Sequence, residues 1–264
     1  MAGEVYRKVL RDQRVALLAW TGGFLLLTLL TLSFYPSIRD SPEINAVAEN
    51  LPPAARALFG IEDDLGTATG FLRTRVFSLQ LPLLLLIYAI SRGSDAVAGE
   101  EDRGTLDLHL SLPVTRTRFL LEHAAAMATG VALLTLVSFA SLALGARLVD
   151  MDVDPLRLLA AHVMALLLAL LFGVLALAAG SAWGRRAWAS GGAAAVAVAS
   201  FVVDGLAELS GTLEPVELLS PFHAYSGGNP LKEGMPWGFA AALAGAALVF
   251  LAAAVVAFER RDLR

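Results

Sequence analysis

Apolar residues come in blocks along the chain rather than at a regular interval. Uncharged stretches cover 15–35, 76–90, 124–146, 158–183, 187–203 and 237–258. About 20 residues at 1.5 Å rise cross a hydrocarbon core of roughly 30 Å, so blocks of this length predict membrane-spanning helices. The second block is short by itself. Starting it near Phe71 lengthens it, with Arg73 and Arg75 snorkelling outward, and Pro82 is placed to kink it. The pattern predicts an all-α polytopic membrane protein with six spans, at about 15–35, 71–98, 119–146, 158–183, 187–204 and 237–258, with the whole of 1–264 as one transmembrane domain.

Polar positions orient the bundle. Six spans leave both ends on one side, and placing that side in the cytoplasm puts 13 of the 20 Lys+Arg on inner segments. That bias is what the positive-inside rule requires. Tyr35, Trp183, Trp188 and Trp237 fall near span ends, where interfacial aromatics belong. Before the first span, Val5, Tyr6, Val9 and Leu10 share one helical face, and Arg7, Lys8, Arg11 and Arg14 take the rest. Residues 1–14 therefore read as a short amphipathic helix in the inner headgroup layer. A cleaved signal is the competing reading, but the first apolar run has 21 residues. That is too long for a signal-peptide core, and Ala46-Val47-Ala48 lies too far beyond it to serve as a cleavage site. The outer segment 205–236 is rich in turn formers and reads as resting on the membrane surface.

Composition narrows the chemistry. The chain has 264 residues, 57% of them apolar and 17% charged, against about a quarter charged in soluble domains. It holds no cysteine, which removes disulfides and thiolate metal sites. A net charge of −4 with no basic stripe argues against nucleic acid. Its two lysines, Lys8 and Lys232, do not follow a glycine, so no phosphate-binding loop is present. The spans carry no ionisable group at mid-depth to serve as an ion or proton relay. His109, His123, His162 and His223 are scattered, so no metal ligand set is expected. Glu100-Glu101 is like the pair of membrane-embedded CAAX-type proteases, but Thr105 stands where that motif has Arg. No enzyme activity and no cofactor are expected of this chain. Gly180, Gly184 and Gly191 are spaced for close helix packing.

One dense polar stretch interrupts the grease: GEEDRGTLDLHLSLPVTRTRF, 99–119. On the inner side it joins spans two and three. Acids at 100–102 suit a helix running past the membrane, and Gly104 breaks it. Leucines at 106, 108, 110 and 112 alternate as in a strand, yet a lone strand would leave its backbone unpaired. A short helix ended by Pro113 satisfies its own backbone, and Thr115 then caps the next helix. Such an acid-ringed leucine knob reads equally as a plug for a soluble partner and as a solvated loop.

The same stretch resembles the cytoplasmic signature of type-2 ATP-binding-cassette (ABC) transporter permeases. Gly99, Glu100, Gly104, Thr105, Leu106, Leu110, Pro113, Val114 and Arg116 match that pattern in place. The basic N-terminal segment, the six spans, LLSPFHAY before the last span and the basic C-terminus extend the likeness over nearly the whole chain. The resemblance implies a permease subunit that pairs with a second copy or paralogue around a substrate path. It implies separate ABC ATPase subunits that bind ATP and Mg and dock on a coupling loop, 99–118. Glu100, Glu101, Arg103, Gly104, Thr105, Leu106, Leu110, Pro113 and Arg116 would carry the coupling, with Arg7, Lys8, Arg11 and Arg14 as a second contact. The cargo expected is a lipophilic or amphipathic compound leaving across a bacterial cytoplasmic membrane. The alternative is a non-transporting membrane scaffold or sensor that docks a cytoplasmic partner.

Overall fold

The computed structural model describes residues 3–39, 41, 50–58, 61, 64–105, 115–207 and 217–261. Helices account for nearly all of the regular structure in these residues: α1 (Glu4–Arg39), α2 (Pro53–Leu58), α3 (Ala68–Asp102), α4 (Arg116–Leu148), α5 (Pro155–Trp183), α6 (Arg186–Ala207), α7 (Pro221–Ser226), α8 (Pro230–Glu233) and α9 (Trp237–Arg260). Six of them, α1, α3, α4, α5, α6 and α9, are long and apolar enough to cross a membrane. In lipid a helix satisfies its own backbone, which is why such blocks adopt this form.

Helix α5 is the central post. It packs against α3, α4, α6 and α9, and 61% of its most apolar stretch is buried, against 17% for α9. Its start is built for a clean entry: Asp154 accepts from the Leu156 N–H at 2.9 Å, and Pro155 needs no partner at the first position. Its tightest neighbour is α3. A Cβ added at Gly93 would lie 2.0 Å from the Gly173 carbonyl oxygen of α5, so the two backbones touch with no side chain between them. Core side chains such as Tyr88, Leu85, Leu168 and Phe172 surround this seam, all almost fully buried.

Helix α3 is not uniform. A π-helical turn spans Arg73–Phe77, and the α-helix resumes at Gln80 after Leu79, whose φ is −136°. Pro82 explains the break: its ring excludes the carbonyl four residues back, at Ser78. Extended in this way, the second span starts at Ala68, with the Thr67 hydroxyl accepting from the Gly70 N–H at 3.1 Å.

Two expectations are refined. Residues 4–14 are not set off as a helix of their own; they run unbroken into the first span as the 36-residue α1. No glycine or proline precedes Gly22 in this helix, so nothing there turns the chain. The expected faces are present, with Val5, Tyr6, Val9 and Leu10 partly buried and Arg7, Lys8, Arg11 and Arg14 exposed. In the segment before α9 the described residues turn partly inward, while Leu218 and Leu219 stay exposed. Phe222 and Tyr225 of α7 are buried against the bundle, with Phe222 6.3 Å from the Phe172 ring and 5.4 Å from the Phe201 ring. The Tyr225 hydroxyl donates to the Phe77 carbonyl at 2.6 Å, closing a backbone group that the α3 break leaves without its helical donor. Burial pushes the Tyr225 phenol up from its ordinary pKa, so it stays a neutral donor.

The α3–α5 seam generates a stability prediction. Gly93→Val should destabilise the protein by about 3 kcal/mol or more, because backbone cannot retreat as a side chain would. Gly22→Ala, where a Cβ meets open space, should leave stability unchanged or raise it by up to about 1 kcal/mol. Thermal unfolding of both variants in the same detergent checks the pair.

Candidate functional site

The polar stretch that interrupts the spans folds onto the ends of its neighbours. At the foot of α3 a second π-helical turn, Asp95–Gly99, leads into Glu100–Asp102. Gly104 has φ +68° and reverses the chain, with its N–H on the Glu101 carbonyl at 2.9 Å. A left-handed residue there suits glycine, which has no Cβ to clash. Four side chains lock the turn. Arg103 donates to Asp95 at 2.9 Å and to Glu100 at 2.8 Å, and the Thr105 hydroxyl donates to the other Glu100 oxygen and to the Glu100 carbonyl. Burial alone lowers the Arg103 pKa, but the hydrogen bonds and charge of Asp95 and Glu100 outweigh it and hold the guanidinium above its ordinary value.

The neighbouring acids reach across the bundle. Asp102 accepts from the backbone N–H of Arg186, the first residue of α6, at 3.1 Å, and Arg186 approaches Asp95 at 3.4 Å. Glu101 pairs with Arg261, beyond the end of α9. The Arg261 carbonyl in turn accepts from Arg116 at 2.7 Å, and Arg116 also reaches the Phe258 carbonyl at 3.2 Å. Thr117 bonds Glu259. Thr115 caps α4 through the Arg118 N–H, as its sequence position predicts. One turn on, Glu122 pairs with Arg118 at 2.9 Å and accepts from the Gly3 and Tyr6 N–H groups at 3.1 and 3.0 Å. It thereby caps α1 from another helix. The ends of α1, α3, α4, α5, α6 and α9 thus meet on one face, over an apolar layer of Val97, Phe119, Leu120, Leu177 and Phe258.

Of the sequence-predicted residues, Glu100, Glu101, Arg103, Gly104, Thr105 and Arg116 all sit in this cluster. Leu106, Leu110 and Pro113 lie outside the described residues. Arg7, Lys8, Arg11 and Arg14 line exposed faces of α1 on the same side. Gly180 faces Ala98 and Ala189 at ordinary contact distance, Gly184 is the left-handed cap of α5 beneath Arg261, and Gly191 looks into open space. Asp95, Asp102, Arg186, Arg261 and Glu122 were missed. Their partners are 84 to 160 positions away in most cases, and no local motif marks such pairs.

Two other features complete the inventory. An apolar groove of about 750 Å³ runs between α3 and α6, lined by Leu83, Leu86, Ile87, Ala194 and Val198, with Asp102 and Arg186 at its foot. On the opposite face Asp204, Glu217 and His223 bring donor atoms within 4.8 Å of one another. Among the described residues they are the group whose donors converge as a metal would need, and the contacts present are His223 to Glu217 at 2.7 Å and the Ser226 hydroxyl to Asp204 at 3.1 Å. His162, inside α5, is a satisfied core residue, held by the Leu158 carbonyl at 2.8 Å and Ser138 at 3.2 Å.

The cluster's chemistry is mechanical. Its groups are paired to one another, and a displacement of 99–105 pulls on α6 and α9 through hydrogen bonds. The exposed Arg103 pairs contribute little, about 0.5 kcal/mol each. Glu101 and Arg261 are more enclosed, at 22% and 18% exposure, so breaking that pair costs more, about 2 kcal/mol. Arg261→Ala should therefore destabilise the protein by about that much. The double variant Arg261→Ala/Glu101→Gln should recover part of the loss, because it leaves no stranded carboxylate. A double-mutant cycle on thermal unfolding checks this.

A family model, described as the C-terminal domain of the multidrug efflux system permease Rv1217c, matches residues 8–259. No curated protein matches the chain.

Proposed function

Because the chain belongs to that multidrug efflux permease family, with the match spanning almost its full length, we propose that it is the membrane subunit of a type-2 ABC exporter. Two such subunits pair around a substrate path, and separate ATPase subunits supply the energy. The observation that carries this reading is the clamp of 95–105 onto the starts and ends of the other spans. A segment so anchored is fit to pass a push from a soluble partner into the bundle.

In this scheme the coupling loop, 99–118, faces the cytoplasm with both chain ends. The segment after Gly104, with Leu106, Leu110 and Pro113, seats in the ATPase. ATP and Mg bind in that partner and no cofactor binds here. Closure of the ATPases presses the loop. Arg103, Glu100 and Thr105 keep the turn from yielding, and Asp102 and Glu101 hand the displacement to α6 and α9. The α3–α6 groove, open along its side and lined mostly by apolar side chains above Asp102 and Arg186, supplies one wall of a path that a second copy completes. Its lining suits a lipophilic or amphipathic cargo. The membrane in this scheme is a bacterial cytoplasmic one, and the basic bias of the inner segments supports the orientation with both ends inside.

The test is a pull-down of the tagged chain from mild-detergent membranes, with co-purifying proteins assayed for ATP hydrolysis. The expected result is an ATPase at one per permease. A clean chain, under conditions that keep a known transporter intact, would overturn the proposal in favour of a scaffold. Leu110→Asp and Glu100→Arg should each cut transport at least about tenfold, which equals about 1.4 kcal/mol of coupling, while membrane expression holds. A transport assay normalised to expression reads this.

A further inference from the structure

Arg92 has a use that the base cluster does not absorb. It stands in the last turn of the Gln80–Ser94 part of α3, one turn above Asp95. Its Nε is buried with no hydrogen-bond partner. Its guanidinium carbon lies 5.7 Å from the centre of the Tyr88 ring, so the contact the cation makes is a ring face. A buried guanidinium nitrogen without an acceptor is costly until an anion reaches the group.

What lies above Arg92 fits the rest of an amphiphile. Tyr88 donates to Gln13 at 3.1 Å and meets Trp20 edge-on at 6.0 Å. Beyond this pair a groove of about 230 Å³ opens between α1 and α3, lined by Trp20, Phe24, Leu27 and Leu84. Leu84, Tyr88 and Arg92 follow one another four residues apart on α3, so they form one stripe. From Gln13 to Leu27 the axis of α1 advances about 21 Å, the reach of one acyl chain. Tyr88 itself is buried, and the partly exposed Trp20 that covers it links the cation to the hydrocarbon-lined groove.

The surrounding charge selects the headgroup. Asp95 below is engaged by Arg103 and Arg186. Asp12, next to Gln13, is exposed and stands between exposed Arg11 and Arg14. The balance favours a net anion and disfavours a headgroup that carries its own ammonium. Guanidinium and phosphate match as two parallel hydrogen bonds.

We propose that α1 and α3 hold one anionic phospholipid, its phosphate on Arg92 and one acyl chain in the groove lined by Trp20 and Leu84. This site is separate from the base cluster and does not depend on ATP coupling.

Native mass spectrometry of the full chain in mild detergent tests it, with phosphatidylglycerol and phosphatidylcholine of matched chains as probes. Phosphatidylglycerol should be retained at one per chain and at least tenfold more tightly than phosphatidylcholine. Arg92→Gln should erase that preference. Gly23→Phe, which fills the groove from a position where a Cβ meets open space, should weaken retention of both lipids while leaving Arg92 in place. Excess inorganic phosphate should not displace the lipid. Equal retention of the two lipids, an unchanged preference in Arg92→Gln, or full displacement by inorganic phosphate would each overturn the proposal, the last in favour of a free-anion site.

Discussion

Helix α3 lies on α5 with only backbone between Gly93 and Gly173, and the rest of the bundle is arranged around that contact. In lipid, apolar side chains gain little by moving from acyl tails to one another. Close packing and hydrogen bonds must then hold the helices. A seam without side chains brings backbone dispersion contacts near, and its position fixes the height of α3 against the central post. Everything polar at the foot of α3 is placed by that height. One helical turn of slip, about 5.4 Å, would carry Asp95, Glu101 and Asp102 out of reach of Arg186 and Arg261.

The polar layer then does what the apolar layers cannot: it names partners. Leu against Leu is permissive, whereas Glu101 with Arg261, Asp102 with the α6 N–H, and Glu122 with two α1 N–H groups each match a particular acceptor to particular donors. The bundle is thus specified at one face by hydrogen bonds and sealed above by packing. The opposite face is closed by aromatic packing and hydrogen bonds together. There α7 dips inward on Phe222 and Tyr225, and the Ser200 and Ser220 hydroxyls meet at 2.7 Å.

Sequence reading went furthest where the signal is local. Block length gave all six spans, because the bilayer thickness acts on each block independently. Gly104 as a helix stop and Thr115 as a cap were readable from single residues, since their physics lies within a turn. The inward dip of α7 was not, because PFHAY looks the same whether its aromatics face lipid or Phe172 and Phe201. The continuity of α1 was masked by its own composition. A basic amphipathic segment resembles a surface helix, and only the absence of a breaker between Arg14 and Val15 argues otherwise. The base cluster was half legible. Its residues on 99–105 stood out as charge in a greasy chain, while Arg186 and Arg261 looked like ordinary interfacial arginines until the fold set them opposite Asp102 and Glu101.

The hydrogen bond from the Arg186 N–H to Asp102 ties two free energies together. Helix α6 draws an acceptor for its first turn from the end of α3, and such a cap is worth about 1 kcal/mol. Any event that draws 100–102 away frays the start of α6 by that amount. By thermodynamic reciprocity, anything that stiffens or loosens α6 along the groove it shares with α3 must bias 100–102 equally. A ligand in that groove, whose foot Asp102 and Arg186 line, would shift the posture of 100–102 by the difference in its affinity for the capped and frayed states, and by no more.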